Sequence, residues 1–153
     1  MTANNRLTPL LAPRSIALVG GSPREGSVGN LMIQSLTRGG YAGEMTVVTP
    51  RYDSVGGLPC VGSVAGLDEP PDLAILSVAG HRMEKTMTEA IKAGARSAVI
   101  FDPCFYEGDT EPRLLDRLKN LASEAGFPVC GGNGMGYFNY DRHIFASFMS
   151  PAE

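Results

Sequence analysis

The chain is poor in the residues that metal, redox and disulfide chemistry require. It has three cysteines, Cys60, Cys104 and Cys130, an odd number at spacings that match no zinc pattern, so neither a disulfide framework nor a structural metal is expected. Its two histidines, His81 and His143, have no metal-ligand or nucleophile motif around them. No apolar run reaches the length of a membrane span, and Met1 to Arg6 is too short and polar for a signal peptide, which makes the cytoplasm the default location. A formal net charge of −3 lacks the basic excess that a nucleic-acid partner calls for. An anionic ligand would therefore be held by local features and not by a global field. At 153 residues there is room for one domain with one core.

What the chain does have is a glycine-rich loop in a telling place. Ile16 to Val19 is a short aliphatic run of the kind that forms a buried parallel strand, and it breaks into Gly20-Gly21-Ser-Pro-Arg24-Glu-Gly26-Ser-Val28-Gly29 before an amphipathic helix. Glycine lets the backbone turn tightly and approach a ligand, and the following helix points unpaired N–H groups and the positive end of its dipole at the loop. The loop is not a P-loop, because Ser27-Val28 stands where Lys-Ser/Thr would be, and it is longer than the dinucleotide fingerprint G-x-G-x-x-G.

The end of the second strand narrows the ligand. A nicotinamide-binding unit presents an acid to the ribose hydroxyls at this point, and Met45 to Thr49 leads instead into Pro50-Arg51. Guanidinium suits a phosphate on the adenosine ribose, through paired charge-assisted bonds. NADP, with a 2′-phosphate, and coenzyme A, with a 3′-phosphate, both fit; Asp53, two residues on, keeps NAD open.

Strands alternate with helical segments along the chain. Val28, Leu31, Met32, Ser35 and Leu36 share a helix face that stops at Gly39-Gly40; a glycine- and proline-rich connection without helical period follows the second strand. Leu73 to Val78 is the third strand, and Met83, Met87, Ala90 and Ile91 face one way on the next helix, as core filling. Ser97 to Phe101 is the fourth strand, Leu114, Leu118, Leu121 and Ala125 mark the last helix, and Pro128 to Cys130 opens a fifth. The pattern predicts an α/β fold, a Rossmann-like doubly wound parallel sheet of about five strands in the order 3-2-1-4-5. Ligands of such sheets sit outside the carboxyl ends of the strands, where Gly20 to Gly29, Pro50-Arg51, Ser77-Val78-Ala79, Asp102 to Glu107 and Gly131 to Gly136 all fall. Arg24 and the loop amides would take a pyrophosphate, Arg51 a ribose phosphate, and Ser77 to Ala79 an adenine or pantetheine face.

Five pieces in this order, Leu10-Leu-Ala-Pro-Arg-Ser-Ile-Ala-Leu-Val-Gly-Gly-Ser22, Val48-Thr-Pro-Arg51, Asp72-Leu-Ala-Ile-Leu-Ser-Val78, Phe105-Tyr-Glu107 and Gly131-Gly-Asn-Gly-Met-Gly136, carry a resemblance that spans nearly the whole chain. Together they resemble the N-terminal CoA-binding domain of NDP-forming acyl-CoA synthetases, relatives of the succinyl-CoA synthetase α subunit. The resemblance implies coenzyme A as the ligand, bound through Gly20, Gly21, Ser22, Arg24, Gly26, Val28, Gly29, Pro50, Arg51, Ser77, Val78 and Ala79, with Phe105 and Asn133 bordering the thiol end. Several positions depart from the family pattern: Arg51 stands for a lysine, Thr49 for an asparagine, Ala79 for a proline, Asp102-Pro103-Cys104 for S-x-G, Gly132 for the proline of G-P-N, and Gly134 for the following cysteine.

The resemblance further implies a CoA-binding domain over residues 1–136 and a tail or linker over 137–153 toward a second domain, Ala146 to Pro151 resembling that linker. The chain would be part of a ligase coupling a carboxylic acid, CoA and ATP to acyl-CoA, ADP and phosphate. Its role would be to aim the CoA thiol at an acyl phosphate, with the ATP-grasp part and the phosphorylated histidine elsewhere, no catalytic residue of its own and no turnover alone. Cys104 reads as a packer or a nucleophile, and Glu107 as an exposed loop residue or a base. Two other readings stay open: a stand-alone CoA-binding protein, which would not be expected to keep Phe105-x-Glu107 and Gly131-x-Asn133, and an NADP-dependent reductase, for which no Tyr/Lys or Ser/Tyr pair follows the fourth strand.

Overall fold

A computed structural model describes residues 5–149. Short α1 (Thr8–Leu11) leads into β1 (Ser15–Val19), α2 (Val28–Gly39) and β2 (Glu44–Val48); a hairpin of β3 (Ser54–Val55) and β4 (Leu58–Val61) and a 3-10 turn at Val64–Gly66 come next. Then follow β5 (Leu73–Leu76), α3 (Gly80–Lys92), β6 (Ala98–Ile100), α4 (Leu114–Ala125) and β7 (Val129–Cys130), and a second hairpin of β8 (Tyr137–Asn139) and β9 (Ile144–Ala146). The first seven strands form one sheet ordered β3-β4-β2-β1-β5-β6-β7, parallel except for the β3–β4 pair.

The Rossmann-like sheet is thus present with seven strands where about five were expected. The order 3-2-1-4-5 holds when Leu58–Val61 is counted as the third strand. Leu73–Leu76 does not take that place: it pairs with β1 in register Ile16 to Leu73, on the side away from β2. The switch point of the sheet accordingly lies between β1 and β5, and not beside the strand at residues 97–101.

Period-two alternation sends each central strand into two cores. Ile16 and Leu18 of β1 and Leu73 and Ile75 of β5 face α2, where they meet Met32, Ile33 and Leu36. Ala17 and Val19, with Ala74 and Leu76, face α3 and α4 and meet Met83, Met87, Leu114 and Leu118. The methionines are core filling, each fully buried. Small Ala17 and Ala74 on the second face leave room for the methionines between strand and helix.

The first face has α2 and, beside it, the β8–β9 hairpin. Ile144 and Ala146 are buried in the same cluster as Met32 and Leu36, and the Phe145 ring lies against Gly39. The Tyr137 hydroxyl donates to the Leu10 carbonyl, and Asn139 Nδ2 donates to the Leu11 carbonyl at 2.8 Å. Residues 137–147, part of the stretch expected as a tail or linker, therefore form part of the packed body. Of the stretch resembling a linker, Ser150 and Pro151 lie outside the described residues, as do Met1 to Asn4.

At the amino ends of the strands, Asp72 ties three segments together. It accepts from the Arg14 amide at 2.9 Å and from Arg96 Nη1 at 3.0 Å, and its own amide donates to Ser15 Oγ at 3.1 Å. This ionic tie is therefore at the end of the sheet opposite the glycine-rich loop.

Candidate functional site

The glycine-rich loop folds as a cradle because three of its glycines, Gly20, Gly21 and Gly29, sit where a side chain has no room. Gly20 has φ +87°, and a Cβ there would stand 2.6 Å from the Ser77 carbonyl oxygen. A Cβ at Gly29 would stand 2.8 Å from the Gly21 Cα, so the first turn of α2 rests directly on the loop. Ser27 caps that helix, its Oγ accepting from the Asn30 amide at 3.3 Å. The Val28 and Gly29 amides find no acceptor among the described residues and belong to the open end of the helix.

Two joined clefts lie over the carboxyl ends of β1, β2 and β5. The larger, about 860 Å3, runs from Arg24, Gly26, Val28 and Gly29 past Ser77 to Phe101, Asp102, Pro103 and Phe148. The smaller, about 420 Å3, runs from Gly21 past Thr49, Pro50 and Arg51 to Arg82. Gly20, Ser22, Arg51, Ser77, Val78 and Ala79 border both. Every residue expected at the site from sequence lines one cleft or the other except Phe105 and Asn133. Phe105 is 70% exposed just past the Asp102-Pro103 wall, and the Asn133 amide donates to the Asp102 carbonyl at 2.8 Å, so both flank the far end of the larger cleft without lining it.

The cleft gathers unpaired positive charge. No ion pair is formed by Arg24, Arg51 or Arg82 among the described residues, and α3 begins at Ala79 without a side-chain cap, so a second helix N-terminus opens there. Ser77 Oγ is buried and has no hydrogen-bond partner, a state that ordinarily costs about 1–3 kcal/mol and that a ligand hydrogen-bonding group would relieve. A cofactor-sized molecule with phosphates at one end and a hydrogen-bonding chain across Ser77 fits these residues.

The wall at the far end is fixed by hydrogen bonds. The Asp109 side chain accepts from the Leu114 amide at 2.7 Å and from Arg117 Nη1 at 3.1 Å, while Arg117 Nε donates to Glu84 of α3 at 2.8 Å. Burial alone would raise the Asp109 carboxyl, but hydrogen bonds from Leu114, the Tyr106 hydroxyl, Arg117 and Thr110 outweigh it and hold it at about 2. The loop after β6 is in this way tied to both helices of its face. His81 is exposed and edge-on to the Tyr106 ring at 6.5 Å, and His143 is exposed in the turn of the second hairpin.

Cys104 is buried, and burial, with Asp102 beside it, pushes its thiol up to about 11. At neutral pH it is a protonated packing group and not a nucleophile. Sequence reasoning missed Arg82, Phe101 and Phe148. Arg82 follows Ala79 by one helical turn and was legible as the first cation after the third βα junction; Phe148 reaches the cleft through the second hairpin, which no local pattern announces.

The model of the CoA binding domain family matches residues 14–139. The chain belongs to this family of CoA-binding domains. It is 32% identical over 144 residues to an ADP-forming acetate–CoA ligase I of Archaeoglobus fulgidus, covering 94% of this chain and 21% of that protein. It is 29% identical to a trans-feruloyl-CoA synthase from an unknown prokaryotic organism, covering 96% and 21%. Among solved structures, the dinucleotide-forming acetyl-coenzyme A synthetase 1 of Ca. Korarchaeum cryptofilum, in complex with phosphate and ADP, superposes with a TM-score of 0.84 at 29% identity, covering 93% of this chain and 30% of that one. This CoA-binding domain is thus homologous to the N-terminal part of ADP-forming acyl-CoA synthetases and spans about a fifth of the length of these curated relatives. No described helix is long and apolar enough to cross a membrane.

Proposed function

We infer that this domain holds coenzyme A for an ADP-forming acid–thiol ligase of the cytoplasm, as a substrate and not as a resident cofactor. The observation that carries the reading is the pairing of an open helix N-terminus with an unpaired Arg51 on one continuous cleft. The diphosphate would lie on the loop amides and Arg24, the 3′-phosphate at Arg51, and the pantetheine arm across Ser77 to Ala79. The thiol would then emerge beside the packed Phe101 and Phe148 rings, with Phe105 and Asn133 at its border. In the reaction the thiol sulfur forms a bond to the carbonyl carbon of an acyl phosphate, the carbon–oxygen bond to phosphate breaks, phosphate leaves, and the thiol proton is released to solvent. None of those bonds is made by a side chain of this domain, so its contribution is orientation. An ATP-grasp part, the phosphohistidine carrier and the acyl pocket would be supplied by other parts of the enzyme.

Thermal unfolding with CoA, dephospho-CoA, NADP and NAD tests the ligand. At about 100 times its dissociation constant CoA stabilises by about 2.7 kcal/mol, a rise of about 5–10 °C for a domain of this size. A rise with NADP and none with CoA overturns the reading in favour of a reductase domain. Incubation with labelled ATP, CoA and carboxylic acids tests the division of labour: sustained acyl-CoA formation by this chain alone would show that the catalytic groups are within it.

A further inference from the structure

The smaller cleft has two cations, and only one of them has been given a task. Arg82 stands on the first turn of α3 and lines the same wall system as Arg51 and Thr49. Arg14, Arg96, Arg113 and Arg117 each meet a carboxylate within 3.4 Å, whereas Arg51 and Arg82 meet none among the described residues. The one acid on this wall, Glu89, is drawn aside by Lys85 at 3.7 Å. The uncapped start of α3 adds the positive end of its dipole at the same point. A phosphate monoester carries about −1.5 to −2 charges at neutral pH, more than one guanidinium neutralises, while each phosphate of an internal diphosphate carries a single charge and is served by amides and Arg24 at the other cleft.

We propose that Arg82 acts with Arg51 as a two-arginine clamp on the terminal monoester phosphate of the adenosine ribose, which makes the smaller cleft the element that selects 3′-phosphorylated nucleotides. The inference rests on the CoA reading above. It divides the ligand between the clefts: monoester and ribose in the smaller, diphosphate and arm in the larger. It also gives α3 a recognition role beyond covering the sheet.

Calorimetry on the full chain tests it, with wild type, Arg82→Ala, Arg82→Lys and Lys92→Ala against CoA, dephospho-CoA and adenosine 3′,5′-bisphosphate. Arg82→Ala is expected to weaken CoA and the bisphosphate by about 10-fold or more and to leave dephospho-CoA within about twofold. Arg82→Lys should fall between, because it keeps the charge and loses the fork. Lys92→Ala, exposed on the same helix and off both clefts, should change nothing. Unchanged CoA binding by Arg82→Ala, equal losses for CoA and dephospho-CoA, or a matching loss in Lys92→Ala each overturns the clamp while leaving the CoA reading in place. A wild-type chain that binds neither CoA nor the bisphosphate removes both.

Discussion

A methyl group at Gly29 is a direct probe of how the phosphate loop is held. Built on the backbone, it would stand 2.8 Å from the Gly21 Cα and 3.3 Å from the Ser22 amide nitrogen. Carbon atoms in contact prefer about 3.5–4.0 Å, so α2 must retreat from the loop by roughly 1 Å. Overpacking of this kind costs about 1–3 kcal/mol, and replacing a helical glycine with alanine returns about 1 kcal/mol, which leaves a net loss of about 0–2 kcal/mol for the free domain. Binding should suffer more. The retreat carries the Val28 and Gly29 amides away from the proposed diphosphate position, and one charge-assisted bond is worth about 1.5–3 kcal/mol, so Gly29→Ala should weaken CoA by about 10- to 100-fold. Urea melting measures the first quantity and calorimetry the second. If the variant binds CoA as wild type does, the start of α2 is not what holds the diphosphate, and the assignment of the larger cleft has to be abandoned.

Four further outcomes follow from the same structure. Arg51→Ala should weaken CoA by about 10- to 100-fold and leave dephospho-CoA almost untouched, read by calorimetry; equal losses would reduce Arg51 to general charge. Ile144→Ala should cost about 2–5 kcal/mol in urea melting with CoA affinity unchanged, since it empties a fully buried site under α2 and does not line the clefts, and it serves as the stability control for Gly29→Ala. Because the Asp109 carboxyl is held at about 2 in the fold and is near 3.9 unfolded, its contribution is fully present above about pH 4 and is lost as the pH falls toward 2; in Asp109→Asn that part of the acid slope of stability should vanish. Gly132→Ala should cost about 1–3 kcal/mol because its Cβ would meet Cys104 Sγ at 2.4 Å, and the cost should shrink by about 1 kcal/mol or more in a Cys104→Gly background; additive costs would separate the two positions.

How much of this was legible in sequence depended on the length of each pattern. Ile16 to Val19 and Leu73 to Leu76 are continuous apolar runs bounded by polar residues or glycine, and both are central strands. The loops that gather at their carboxyl ends follow from topology alone, which is why the two clefts are lined by residues named in advance. Leu58–Val61 was hidden because Pro59 argues against a strand, yet proline is tolerated toward the sheet edge, and Val55-Gly-Gly-Leu58 was a two-residue hairpin signal that could have been read. The β8–β9 hairpin has three-residue strands, too short for alternation to register, and it is held by contacts with α2 and Leu10 far away in sequence. Phe148 enters the site through the placement of that hairpin and has no local signature, whereas Arg82 stands on the first turn of the helix after Leu73–Leu76.

The departures from the family pattern at the far end of the cleft compensate each other in space. Where the family motif has a glycine, Cys104 holds φ +57°, a conformation that costs a side-chain-bearing residue about 1–2 kcal/mol. The turn therefore still demands what glycine supplies freely, and the cysteine is kept in it by its surroundings: its amide donates to Asp102 Oδ1 at 2.8 Å, and its buried thiol lies 3.4 Å from the Asp102 carbonyl. That thiol occupies the space beside residue 132, where the family has proline and this chain has glycine. A side chain at 132 and the thiol at 104 exclude each other, so the gain of one and the loss of the other form a single exchange of volume between two loops. The same Asp102 carbonyl also accepts the Asn133 amide, so the exchange leaves the two loops bonded to one another. Asp102 and Pro103 remain as the cleft wall, with Phe105 and Asn133 presented beside it. Cys104 and Gly132 thus lie behind the surface a thiol would meet and change how it is supported, while Asp102, the remaining departure of that turn, stands in the wall and changes what it offers.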